Sequence, residues 1–449
     1  MDMTVGKPWK SILYFTVPML IGNIAQQLYA TVDSIVVGRY VGDNALAAVG
    51  SAGPILNLLL VLFIGISAGV NIMVSQYFGA KNREGLSFTV GNCITVTAIA
   101  CLGLMLICAP FIRPVLVMLN TPADILDWCN DYLMISLIGG AGMAYYNILS
   151  GVLRGLGDSF SALIYLLVAT VINIVLDVYF VASLNMGVAG VALATVIAQI
   201  ISSLLCGVKL ASMNEHFDFG LRYMKPVGSY VKTIIKLGLP AGATQAIFSA
   251  AMIMVQKLTN SFGAQLIAAN VIVMRVDGFA MMPNFSFGNA LTTFSGQNVG
   301  AGKYDRVTKG AKQGTLMAVI CSAVITVVIL LFGKGLMGIF TETKSLVELS
   351  YYLMTILAVG YIAMAVTQSL SGIMRGAGDT LTPMWISLIT TVLIRVPLAY
   401  GISYLTRTAD LPFGRFECIS ISLLTSWVLG AVFTIIFYKL GKWKTKAIQ

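Results

Sequence analysis

Three carboxylates lie inside long apolar runs of this 449-residue chain: Asp33, Asp177 and Asp277. A charge at the centre of a spanning helix costs roughly 2.5–3.5 kcal/mol on insertion scales, so a function is the first reading of each. Asp33 closes a polar stripe, with Gln26, Tyr29 and Asp33 at i, i+3 and i+7 on one helix face. Asn173 and Asp177 share a face at i, i+4, and so do Thr195 and Gln199 on the following run, while Asn147 interrupts the run before. A carboxylate pair with amide and hydroxyl neighbours can hold a proton or a sodium ion, because an arriving positive charge relieves the repulsion between the acids. The alternative at these positions is a polar seam that glues helices together.

Arg275 and Asp277 stand two residues apart, about 200° around a helix, so they do not share a face. One can meet a cavity while the other pairs with a neighbouring helix. Met281 and Met282, with Phe279 and Phe285, can line a pliable substrate pocket, although core packing explains such residues as well. The seven cysteines lack motif spacing and the single histidine, His216, sits in a polar loop, so neither a disulfide framework nor a metal cluster is expected. No cofactor motif or nucleophile triad occurs. Two Arg-Gly-x-Gly-Asp segments lack the strand–helix context and lysine of a phosphate loop and read as turns.

Composition says where these residues must sit. Hydrophobic residues make up 58% of the chain and charged residues 10%, too few to cover a water-exposed surface, where about 25% is usual. A soluble enzyme and a nucleic-acid module are excluded. The net charge of +10 comes from short basic clusters between apolar runs, the pattern of positive-inside loops. Residues 11–32 form a 22-residue run without charge, longer than the roughly 7–15 residues of a signal core, so it reads as a retained span.

Twelve apolar runs centre near residues 24, 62, 100, 141, 171, 198, 246, 282, 322, 361, 393 and 429. Residues 183–187 form the turn between runs five and six, and Arg395 with Pro397 predicts a kink in run eleven. With both termini placed in the cytoplasm, 19 Lys and Arg face inward and seven outward, which sets the orientation in a plasma (inner) membrane.

The chain repeats. Residues 149–158 recur at 370–379 with seven of ten identities at an offset of 221, and residues 76–80 align with 297–301 at the same offset. Six spans per half is an even number, so the expected architecture is all-α, with two six-helix lobes related by a pseudo-twofold axis along the membrane normal. The boundaries predicted are 1–212 for the first lobe, 213–231 for a basic cytoplasmic linker and 232–449 for the second. At offset 221, Asp33, Asn173 and Asp177 correspond to Met254, Ile394 and Leu398, so the ionisable set is confined to the first half.

Pro18, the stretch Gln26–Asp33, the paired Gly-Ala loops and both Arg-Gly-x-Gly-Asp segments together resemble multidrug and toxic compound extrusion (MATE) transporters over essentially the whole chain, nearest the DNA-damage-inducible bacterial type. The resemblance implies two six-helix lobes around a central cleft and export of cationic or amphiphilic organic compounds in exchange for protons or sodium. It places Asp33, Asn173, Asp177 and Thr195 at the coupling site, where sodium is the one metal to consider. It places Gln26, Tyr29 and Asn147 along the drug cavity, to which the reading of the residues adds Gln199, Arg275, Asp277, Met281 and Met282. A second family branch carries acids on helices seven and ten. Here those helices offer Gln245, Gln256 and Gln368, so a sodium site in the second lobe is not expected. The implied partners are drug-like small molecules and membrane lipid, without nucleic acid, and the chain is taken as a monomer. The rival is a lipid-linked oligosaccharide flippase of the related superfamily, which usually has more helices and a more cationic cleft. An intramembrane enzyme or a channel lacks support, since there is no catalytic constellation and no filter-like loop.

Overall fold

In hydrocarbon every backbone N–H and C=O must be satisfied within its own segment, so uncharged runs of this length become helices. The structure, a computed structural model, describes residues 1–119 and 121–448, the side chains of Ala30, Ser34 and Asp43 aside. No β-strand occurs among the described residues. The spans are α1 Pro8–Tyr40, α2 Asp43–Gly79, α3 Arg83–Met118, α4 Ala123–Ile138 with Gly140–Gly155, α5 Ser159–Ser183 and α6 Gly187–Ala211. They continue with α7 Gly228–Ser261, α8 Ala264–Gly300, α9 Tyr304–Gly338, α10 Lys344–Ala358 with Gly360–Gly376, α11 Leu381–Leu405 and α12 Cys418–Leu440. Each of the twelve centres expected from the sequence falls inside one of these helices.

α4 and α10 bend by 48° and 46° at corresponding places. Gly139 is the first break and Gly360 follows directly on the second, at Val359; each glycine lies against a neighbouring helix so closely that an added methyl would strike a side chain, Val196 on α6 or Trp427 on α12. Between helices in lipid, attraction comes from close van der Waals packing, which small residues permit. The expected turn after α5 is present at Leu184–Met186. The kink in α11 takes the form of a π-helical stretch, Leu388–Ile394, immediately before Arg395. Pro397 lacks an N–H and its ring crowds the carbonyl four residues back, which the wider π turn relieves.

The chain forms two units. One holds Met1–Asp2 and Val17–Gly242, the other Met3–Thr16 and Ala243–Gln449. This division departs from the expected boundaries at 212 and 232. Residues 213–231 belong to the first unit because they are stapled to α3: Arg83 holds Asp218 at 2.6 Å, Thr95 donates to the Met224 carbonyl at 2.6 Å, and Asn92 accepts from the Val227 N–H at 2.7 Å. The Arg83 hydrogen bonds keep the Asp218 carboxyl below the usual carboxylate range. Residues 3–16 belong to the second unit because its side chains bind their backbone. Gln297 accepts from the Met3 N–H at 2.8 Å, and Arg306 donates to the carbonyls of Met3, Val5 and Gly6. The composition of both units changes next to a proline, at Thr16/Val17 by Pro18 and at Gly242/Ala243 by Pro240.

Candidate coupling site and transporter family

In the first unit, Val36 and Val37 near the end of α1 pack with Val181 of α5 and Val188 and Val191 of α6. That contact brings the polar faces of the three helices together. Asn173 and Asp177, one turn apart on α5, are 0% exposed, while Asp33 is partly exposed. With the Asn173 amide assigned the orientation that its neighbours satisfy, its nitrogen donates to Asp33 Oδ1 at 2.9 Å and to Asp177 Oδ2 at 3.1 Å, and its oxygen accepts from the Tyr29 hydroxyl at 3.3 Å. Thr195 Oγ1 on α6 lies 3.3 Å from the same amide. The two carboxylate oxygens are therefore within about 6 Å of each other, the length of the two hydrogen bonds laid end to end. Asp177 Oδ1 is buried and has no hydrogen-bond partner among the described residues. A π-helical turn, Tyr179–Ser183, follows directly after Asp177, and such turns are frequent at functional positions.

The other first-unit candidates are spread more widely. Gln26 is exposed two turns before Asp33. Gln199, one turn from Thr195, is buried with an unpartnered Oε1. Asn147 is partly buried and its amide donates to the Met143 carbonyl of its own helix at 2.8 Å.

In the second unit, Asp277 accepts a 2.9 Å hydrogen bond from the Tyr361 hydroxyl on α10. Asn284 donates to the Tyr361 carbonyl at 3.2 Å and accepts from Ser322 at 2.7 Å, so α8, α9 and α10 are tied by one polar chain. Asp277 and Met281 line a cavity of about 290 Å³ walled by Phe248, Met364 and Trp427. Arg395 of α11 enters the same cavity, 9% exposed, with a buried Nε that has no partner among the described residues. Arg275 is exposed and Met282 is partly buried, and neither lines this cavity. The 200° separation along α8 accounts for Arg275: with Asp277 turned inward, the residue two before it is turned away. The sequence assigned no role to Tyr361, and marked Arg395 as a kink position and, with Arg275, as one of two arginines within the spans. Two intramembrane arginines and one acid signalled a buried charge, but the helix that answers Asp277 is fixed by packing.

A polytopic all-α protein that buries ionisable side chains within its helix bundles has the construction of a membrane transporter. The MatE family model matches residues 18–179 and again 240–401, and the chain belongs to this family of transporters, which are not enzymes, need no cofactor and are driven by ion gradients. The probable multidrug resistance protein YoeA of Bacillus subtilis is 30% identical over 406 residues, 89% of this chain and 88% of the relative. The probable multidrug resistance protein NorM of Thermotoga maritima is 25% identical, covering 98% of this chain and 94% of its own. Among solved structures, a MATE protein crystallised in complex with MaL6 superimposes with a TM-score of 0.91 at 22% identity, covering 98% of this chain and 97% of that one.

Proposed function

We propose that this transporter exports cationic or amphiphilic organic compounds across the plasma membrane in exchange for inward-moving protons or sodium. The observation that carries the reading is the Asn173 amide bridging Asp33 and Asp177 inside the first unit. The positions equivalent by repeat in the second half are Met254, Ile394 and Leu398, which cannot carry a coupling ion. The names of relatives such as YoeA and NorM, probable multidrug resistance proteins, support drug-like substrates.

In this account the charged pair is the coupling element. Two carboxylates held close in a low-dielectric site repel, and a proton or sodium ion between them removes the repulsion. Thr195 offers a neutral oxygen of the kind a small cation needs beside the acids, and Asn173 offers a second when its amide turns over. Charging and neutralising the pair biases α1 against α5 and α6, and this bias drives alternating exposure of the substrate site. Gln26, Tyr29, Asn147 and Gln199 contact substrate in the first unit, and Asp277 and Met281 contact it within the cavity of the second, while Arg275, turned away from that cavity, and Met282, outside its lining, do not. Asp33 and Asp277 compensate a cationic substrate, and the methionine and aromatic walls take its apolar body. Both termini lie in the cytoplasm, as the basic loops require.

Efflux from proteoliposomes under an imposed pH gradient or an imposed sodium gradient, one at a time, tests the reading. Gradient-driven flux with one of the two ions is expected, and flux indifferent to both would reject ion exchange.

A further inference from the structure

The two Arg-Gly-x-Gly-Asp segments contain an acid and a base that do not pair. Gly157 and Gly378 adopt positive φ, 84° and 98°, and turn the chain into the next helix. Each aspartate is then spent as a helix cap: Asp158 accepts from the Ser161 N–H and hydroxyl at 2.9 and 2.7 Å, and Asp379 from those of Thr382 at 3.2 and 2.8 Å. Among the described residues the arginines have no carboxylate partner.

In the second unit Arg375 faces a chamber of about 30 Å³ between α7, α10, α11 and α12. No acidic side chain lines it. A guanidinium stays charged at any accessible pH and has no acceptor of its own to offer. Among the described residues, its side chain has no hydrogen-bond partner. Three hydroxyls in the lining are already committed, with Thr367, Thr390 and Ser426 donating to carbonyls of their own helices at 3.0, 2.8 and 2.7 Å. The Gln368 amide and the hydroxyls of Ser371, Ser387 and Thr391 line the same chamber, are committed to no such bond among the described residues, and can donate into it.

We propose that Arg375 binds a small inorganic anion of halide size in this chamber. A half-buried cation facing a chamber without a carboxylate calls for a counter-charge, and a guanidinium with hydroxyl and amide groups free to turn their donors inward suits an anion. Size sets the class: a water-sized particle needs about 10–15 Å³ of such volume, so a chamber of about 30 Å³ matches a small inorganic ion. The site is separate from the acidic pair of the first unit and does not depend on the direction or substrate of transport.

Crystals of the purified full-length protein grown in sodium bromide test this directly. An anomalous bromide peak beside the Arg375 guanidinium, absent in Arg375→Gln, is the expected result. In detergent, chloride in place of gluconate at equal ionic strength raises Tm by about 1–2 °C in the wild type and in Arg154→Gln, and not in Arg375→Gln. If Arg375→Gln fails to fold, Thr391→Val keeps the guanidinium and the shape and lowers apparent halide affinity about tenfold. Wild-type crystals with no bromide in the chamber, or a chloride response unchanged in both chamber variants, would overturn the proposal.

Discussion

Replacing Asp33 with Asn keeps the size and most of the hydrogen bonding of the side chain while removing one of the two charges at the Asn173 bridge. The oxygens of Asp33 and Asp177 that share the bridging amide lie within about 6 Å. At an effective dielectric of 20, unit charges at that distance interact by about 3 kcal/mol. A cation seated on Asp177 feels Asp33 with similar strength, so Asp33→Asn lowers its affinity about 100-fold. Ion-driven efflux of a labelled organic cation from proteoliposomes should therefore fall to the level of empty vesicles at ion concentrations that saturate the wild type. Elution as a single species with unchanged Tm would show that folding survives. Wild-type flux in the variant at the same ion concentration would refute the reasoning, because no other acid shares this bridge.

Other consequences follow from contacts away from the pair. Tyr361→Phe removes the hydroxyl that Asp277 accepts at 2.9 Å, and unfolding free energy should drop by about 1.5–3 kcal/mol, read by chemical denaturation; an unchanged midpoint would remove this bond from the account. Gly139→Ala drives a methyl into Val196, whereas a methyl at Gly140 meets nothing within 4 Å. The first should cost about 1–3 kcal/mol and the second should be neutral, so equal melting curves would contradict the packing described for α4 and α6. The linker staple has a defined pH sense. Because Arg83 lowers the Asp218 carboxyl, its contribution is present at neutral pH and is lost as pH falls below the ordinary aspartate value of about 3.9 and through the lowered one. Hydrogen exchange across 213–231 should accelerate there, and in Arg83→Gln already at pH 7; equal protection in the variant would exclude the staple.

Much of the fold was legible because each span had to be apolar along its whole length, whatever it packed against. Asp33, Asn173, Asp177 and Thr195 were conspicuous as polar residues in apolar runs and helical spacing gave each a face, but that they meet was implied by the family resemblance and not by the spacing. Two things were hidden, for physical reasons. The unit boundaries depend on Arg306 gripping the carbonyls of residues 3–6 and on Arg83 gripping the linker, contacts between a side chain and a backbone that leave no periodic trace. The partnership of Asp277 with Tyr361, and its shared cavity with Arg395, joins three helices across 84 and 118 positions of sequence. A parallel could be drawn only afterwards: the π-helical stretches follow Asp177 in one unit and precede Arg395 in the other.

The central claim is that the bridged acids in the first unit carry the coupling ion. The most direct test is to count ions released when a saturating organic cation is added to detergent-purified protein, with a pH indicator in weak buffer and a sodium electrode in parallel. About one proton or one sodium ion per bound molecule is expected from the wild type, and none from Asp177→Asn although the compound still binds. Release that persists in Asp177→Asn, or binding to the wild type with no ion released, would contradict it.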